Sequence, residues 1–183
     1  MSKALSVKTL LGDYPVTQPL KKGEVQSPSI RFDFADVKTP SAAFKRVVRN
    51  LEFDCAELAI VTFLMAKAHG KPLVLLPAVI VARFQHPHIV YNAERGPLAP
   101  ADLAGRRVGM RSYTVTTTTW LRGILANDYG VDLDRVKWVT FEEPHVAEFR
   151  DPPSVERAPE GKELMAMLLA GEVDAAILPA IPD

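Results

Sequence analysis

The chain has 183 residues, 48% of them hydrophobic, and its 22 Lys and Arg balance 22 Asp and Glu to a formal net charge of zero. That length and apolar fraction suit one large domain or two small lobes and exclude global disorder, while neutrality and the lack of a basic block interleaved with aromatics exclude nucleic acid and an anionic membrane surface as expected partners. The single Cys55 rules out an internal disulfide and a cysteine-built metal cluster, "MSKALSVKTLLGDYP" lacks the sustained apolar core of a signal peptide, and the longest apolar run, "PLVLLPAVIVARF", is too short and proline-interrupted to span a bilayer, so a cytoplasmic location is expected.

Strand and helix patterns alternate along the chain. "LSVKTLLG" alternates as a strand and stops at Gly12, and "IRFDFADV" alternates again. In "TPSAAFKRVVRNL", Thr39 is placed to cap, Pro40 fits the first helical position, and Phe44, Val47, Val48 and Leu51 recur at helical spacing. "CAELAIVTFLMAKAHG" reads as a short strand or turn feeding an apolar helix that ends at Gly70. "PLVLLPAVIVA" is apolar at every position, the pattern of a strand covered on both faces, and "HPHIVYN" reads as a further strand. The Pro-, Ala- and Gly-rich "AERGPLAPADLAG" breaks the pattern and divides a first lobe, residues 1–95, from a second, residues 96–183. There the order restarts: strand "RRVGMR", a helix over about 114–129, strand "VKWVTF", a polar loop, helix "GKELMAMLLAGE" and strand "VDAAIL". Strands separated by helices of this length imply crossover connections and mostly parallel sheets, an α/β fold.

Ligands of such folds sit at the carboxyl ends of strands, against helix N-termini. The stretch "RSYTVTTTTW", Arg111–Trp120, lies between a strand and a helix and holds five Thr. Unpaired backbone N–H groups and the helix dipole favour an anion there, and a small organic carboxylate fits. In the plain alternative Ser112 or Thr114 caps the helix and the other threonines face solvent or bond back to their own backbone, but capping explains only one hydroxyl of the set. After the first strand, "GDYP" offers Asp13 and Tyr14, as a site or as an ordinary turn closed by Pro15. His86 and His88, two apart, would share a strand face. They read as general acid or base, as packed imidazoles, or as metal ligands that lack a third partner at recognisable spacing. Glu142, Glu143 and His145 lie at another strand end. Arg83 and Arg111 could each grip a carboxylate through two N–H groups, and the remaining arginines read as helix surface or strand edge. Cys55, in an apolar setting, reads as packing rather than as a nucleophile.

Long stretches of the chain, among them "AFKRVVRNLEFDCAELAIVTFLMAKAHG", "RSYTVTT" and "FEEPHVAE", closely resemble the 4,5-dihydroxyphthalate decarboxylases. The resemblance implies a two-lobed fold of the type II periplasmic-binding-protein kind, the second lobe inserted in the first and a ligand cleft between them. Members of that family continue past the strand equivalent to "DAAIL", so the chain, which stops at Asp183, is expected to be incomplete at its C-terminus. The implied reaction converts an aromatic dicarboxylate to protocatechuate and carbon dioxide in phthalate catabolism. Each ring carboxylate has a hydroxyl para to it that can push electron density to the carbon being protonated, so no electron-sink cofactor is expected, and the lack of a third ligand at recognisable spacing means that no metal is expected. Under this resemblance Arg111, Ser112, Tyr113 and Thr114 would hold a carboxylate with Arg83 as second clamp, and His86 would donate the proton. Glu142 or His145 would take the phenolic proton, and Asp13 or Tyr14 would bond the catechol. A different class stays open, a non-catalytic binding protein for a small aromatic carboxylate, as does, with less support, an enzyme of thiamine-pyrimidine synthesis. The missing export signal and the titratable groups favour the enzyme; whether the chain forms a homo-oligomer is left open.

Overall fold

The computed structural model describes residues 4–180. They divide into two compact units: residues up to Ala82 joined by His145–Ala147, and Arg83–Pro144 with the chain from Glu148 onward. The first unit thus ends ahead of the proline-rich 93–105 stretch, and a three-residue piece containing His145 returns to it.

In the first unit β1 (Leu5–Leu10) lies between β2 (Ile30–Phe34) and the two-residue β3 (Cys55–Ala56), parallel to both, with Leu5 opposite Ile30 and Thr9 opposite Cys55. A short helix, α1 (Gln18–Lys21), follows β1, and proline sets the start of the next one. Pro40 opens a 3-10 turn, Pro40–Ala43, that runs into α2 (Phe44–Asn50), and Thr39 before it is extended, as a residue preceding proline is pushed to be. In that conformation Thr39 makes no capping bond, so the cap expected of it is absent. Phe44, Val47 and Val48 bury on one face as their spacing predicts. Leu51 then adopts a left-handed conformation, φ 51°, and ends the helix. Ala66 of α3 (Ile60–Ala68), Leu10 and Val146 complete the core.

The uniformly apolar segment 72–82 forms no strand: Val74 and Val79 are 87% and 81% exposed. Pro72 and Pro77 have no N–H to give a ladder, and no described strand pairs with the segment. The expectation of a doubly covered strand there is corrected.

The second unit is a five-stranded sheet. β5 (Arg107–Met110) sits at its centre, parallel to β6 (Lys137–Thr140) on one side and β8 (Ala175–Ile177) on the other. β7 (Val155–Arg157) extends the β6 edge in parallel, and β4 (Ile89–Tyr91) closes the other edge antiparallel to β8. The polar composition of β7 predicts a loop. Its three residues include charged Glu156 and Arg157, and only pairing with β6 reveals them as a strand. Alternate side chains fill two cores. Val108, Met110, Trp138, Ala175 and Ile177 pack against Leu121 and Leu125 of α4 (Thr116–Asn127). Val139 and Ala176, pointing the other way, pack against Met167 and Leu168 of α5 (Leu164–Ala170). Each fully buried Leu or Met contributes about 1.5–3 kcal/mol, so α4 is held firmly by its Leu121–Leu125 stripe. The α/β architecture with mostly parallel sheets is the one expected. Among the described residues no helix is long and apolar enough to cross a membrane.

Candidate anion site

The central strand β5 ends at Met110, and the chain turns through Arg111–Val115 before α4 begins at Thr116, two residues later than periodicity suggested. The turn is tied to the neighbouring strand end, since the Arg111 carbonyl accepts from the N–H groups of Phe141 (3.1 Å) and Glu142 (2.7 Å). The Arg111 Nε lies 3.6 Å from Glu142 Oε2, an ion pair too long for a hydrogen bond. Ser112 is completely buried, and its Oγ has no hydrogen-bond partner. The residue in the N-cap position of α4 is Val115, whose side chain has no oxygen to offer the first amides of the helix. The positive end of a 12-residue helix therefore stands beside an unsatisfied buried hydroxyl.

The hydroxyl-rich run divides its work. Thr118 Oγ1 lies 2.9 Å from the Ser112 carbonyl, 3.1 Å from that of Tyr113 and 2.9 Å from that of Val115, so it bonds back to the turn rather than toward solvent. Thr117 Oγ1 accepts from Arg83 Nη2 at 3.2 Å, while Arg83 Nη1 donates to the Pro179 carbonyl at 2.9 Å. Arg83 is thus held between the segment after β8 and the α4 N-terminus, without a carboxylate among these partners. Thr114 is buried and Tyr113 half-buried. Neither Ser112 nor Thr114 caps the helix. Arg83, Arg111, Ser112, Tyr113, Thr114 and Glu142 all belong to this one edge of the second unit.

The remaining candidates lie elsewhere. Pro87 makes His86–His88 a 3-10 turn, so the two imidazoles do not share a strand face. His88 is buried with Nδ1 2.9 Å from the Leu178 carbonyl. His86 is exposed, on the rim of an apolar cavity of about 200 Å³ lined by Leu98, Leu121, Leu125 and Tyr129. His145 is 3% exposed in the core of the first unit, Nδ1 2.8 Å from Thr62 Oγ1 and edge-on to Phe44, where sequence reading placed it on the second lobe. Asp13 is exposed in the turn after β1.

Tyr14 donates to Glu57 Oε1 at 2.8 Å, and Glu57 Oε2 accepts the Gly12 N–H at 2.7 Å. Burial, with the Glu57 hydrogen bond and charge added to it, pushes the Tyr14 phenol up to about 12, so Tyr14 is a neutral hydroxyl at any physiological pH. Gly12 is required for this arrangement, because a Cβ there would come within 2.5 Å of the Tyr14 ring. Sequence reading missed Glu57, which lies 43 residues from Tyr14 and carries no local signature. Cys55 is half-buried, its thiol pushed up by burial and by Asp54, which makes it a poor nucleophile. No group of three or more His, Cys, Asp or Glu is placed to hold a metal among the described residues.

Mostly parallel sheets, with a helix N-terminus and arginines at the carboxyl edge of the central strand, define an α/β protein of the periplasmic-binding-protein-like kind. The chain belongs to the NMT1/THI5-like family, whose model matches residues 38–151. It is 32% identical to a 4,5-dihydroxyphthalate decarboxylase of Comamonas testosteroni over 190 residues, which takes in 100% of this chain and 57% of the relative. It is also 32% identical to a 4,5-dihydroxyphthalate decarboxylase of Pseudomonas putida over 186 residues, 97% of this chain and 72% of that protein. The chain therefore spans little more than half the length of the Comamonas relative.

Proposed function

We propose that the chain is part of a carboxy-lyase that converts 4,5-dihydroxyphthalate to protocatechuate and carbon dioxide, with the edge formed by β5, β6 and α4 holding a substrate carboxylate. The observation that carries this reading is Ser112: a buried hydroxyl with no partner beside an uncapped helix N-terminus. Leaving such a group unsatisfied costs about 1–3 kcal/mol, a cost that a bound carboxylate removes. The names of the two relatives support the choice of substrate.

The reaction divides among these residues as follows. Arg83, Arg111 and the amides at the start of α4 hold the carboxylate that stays. Glu142, beside Arg111, takes the proton of the hydroxyl para to the departing carboxylate, and the resulting phenolate pushes electron density to the ipso carbon. His86 is the exposed imidazole of the second unit and lies three residues from Arg83, within about 10 Å along the chain; it protonates that carbon. The carbon–carboxylate bond then breaks, carbon dioxide leaves, and the bonding pair restores the aromatic ring and the phenolate, which regains its proton from Glu142. Solvent reprotonates His86.

Incubation with 4,5-dihydroxyphthalate, followed for carbon dioxide and protocatechuate, tests the proposal. Product at a rate abolished by Arg111→Ala supports it. Tight binding without product would instead make the chain a carrier of aromatic carboxylates, a role the α/β architecture also serves.

A further inference from the structure

Arg122 lies one helical turn beyond Thr118 on the same face of α4. Its Nη1 donates to the Tyr113 carbonyl at 2.7 Å, and its guanidinium carbon sits 3.4 Å from the centre of the Tyr113 ring. Sequence reading took it for helix surface, yet it is half-buried, and burial lowers its pKa, an effect that Tyr113 and Asp151 oppose. The carbonyl it bonds and the ring face it covers both belong to the turn that precedes the helix.

The consequence follows from peptide planarity. In a trans peptide the C=O of one residue and the N–H of the next point in opposite directions. The single O–H of Thr118 is shared among the carbonyls of Ser112, Tyr113 and Val115, all within 3.1 Å, and Arg122 donates to that of Tyr113 as well. With those oxygens drawn toward the body of α4, the N–H groups of Tyr113, Thr114 and Thr116 are aimed the other way. Successive amides turned outward in this manner make an anion-binding concavity. We infer that Thr118 and Arg122 are positioning residues that fix the 112–115 turn with its amides facing a bound carboxylate, Arg122 acting through the Tyr113 carbonyl and ring rather than by touching the ligand. The inference rests on the anion site proposed above, but its structural half can be read without any ligand.

Two readouts separate the parts. The amides of Thr119, Phe141 and Glu142 donate to carbonyls of this turn, so their hydrogen exchange reports how firmly it is held. Arg122→Gln and, separately, Thr118→Val should speed that exchange at least tenfold while amides of β5 and the middle of α4 keep their rates; unchanged exchange at the turn overturns the inference. Phthalate, the dicarboxylate without hydroxyls, is the binding probe. Arg122→Gln should weaken it about tenfold, and Arg122→Lys, which keeps the charge but not the planar stack, should restore less than half of the loss on a logarithmic scale. Full rescue by Lys would show a charge acting at a distance and overturn the positioning role. If the unaltered protein fails to bind phthalate, the anion site itself fails, and the exchange result still decides whether Arg122 and Thr118 hold the turn. An Arg122→Gln protein that does not fold is replaced by Tyr113→Leu, which removes the ring under the guanidinium and leaves the carbonyl; normal exchange at Thr119 in that variant also counts against the inference.

Discussion

Replacing Ser112 by Ala should make the ligand-free protein more stable and worse at binding. Ser112 is 0% exposed and its Oγ has no partner. Ala keeps the backbone and removes only the orphaned hydroxyl. The penalty of an unsatisfied buried polar group is about 1–3 kcal/mol, and the one-atom void left behind offsets part of the gain, so a net stabilisation of roughly 1 kcal/mol is expected. In a chain of this size that raises the unfolding midpoint by about 2–4 °C. Bound to a carboxylate the same hydroxyl makes a charge-assisted hydrogen bond worth about 1.5–3 kcal/mol, so phthalate affinity should fall by roughly 10- to 150-fold. The two quantities are read by urea unfolding in carboxylate-free buffer and by calorimetric titration. A loss of 1 kcal/mol or more in stability would mean that Ser112 is bonded in the folded chain, and unchanged affinity would mean that it does not face the ligand; either result refutes the reasoning.

Other consequences follow from the same geometry. Leu51 ends α2 at φ 51° and is 45% exposed; Leu51→Gly should stabilise the first unit by about 1 kcal/mol, since a non-glycine residue is strained by that order in the left-handed region, and a lower urea midpoint would contradict this. Tyr14 is raised in the folded chain, so the stability it contributes is complete below its ordinary value near 10 and is lost as pH climbs from there through about 12. Titration at 295 nm should show a late-ionising tyrosine that disappears in Tyr14→Phe and moves down in Glu57→Gln; a Tyr14 that ionises with the exposed tyrosines would refute the Glu57 pairing. His86→Ala should lower the rate of carbon dioxide release at saturating substrate at least a hundredfold while phthalate affinity stays within about threefold, in line with the usual worth of a general acid; full turnover would remove His86 from the chemistry.

What the sequence made legible was local, and what it hid was paired at a distance. The strand–turn–helix at 107–127 could be read because a short apolar strand, a hydroxyl-rich turn and a Leu121–Leu125 stripe follow each other directly; Arg111, Ser112, Tyr113 and Thr114 were grouped from that pattern, and Arg83 joined them only through the family resemblance. The segment 72–82 was misread because apolar composition states a preference for burial and supplies no partner strand, while Pro72 and Pro77 withhold ladder donors. The His86–His88 face was misread for a related reason: alternation implies a strand only where the residue between can extend, and Pro87 turned the chain. Glu57 and Arg122 were missed because their roles come from groups they meet in three dimensions. An arginine on a helix looks like a surface charge until the carbonyl it bonds is known.

Seating of a carboxylate at the start of α4 underlies every role proposed for this edge. Its most direct test is amide chemical-shift mapping during titration with phthalate. The largest changes are expected at Tyr113, Thr114, Thr116 and Thr117, saturating together with the change at the Arg111 side chain. Saturable shifts confined to other residues, with these amides unmoved, would contradict it.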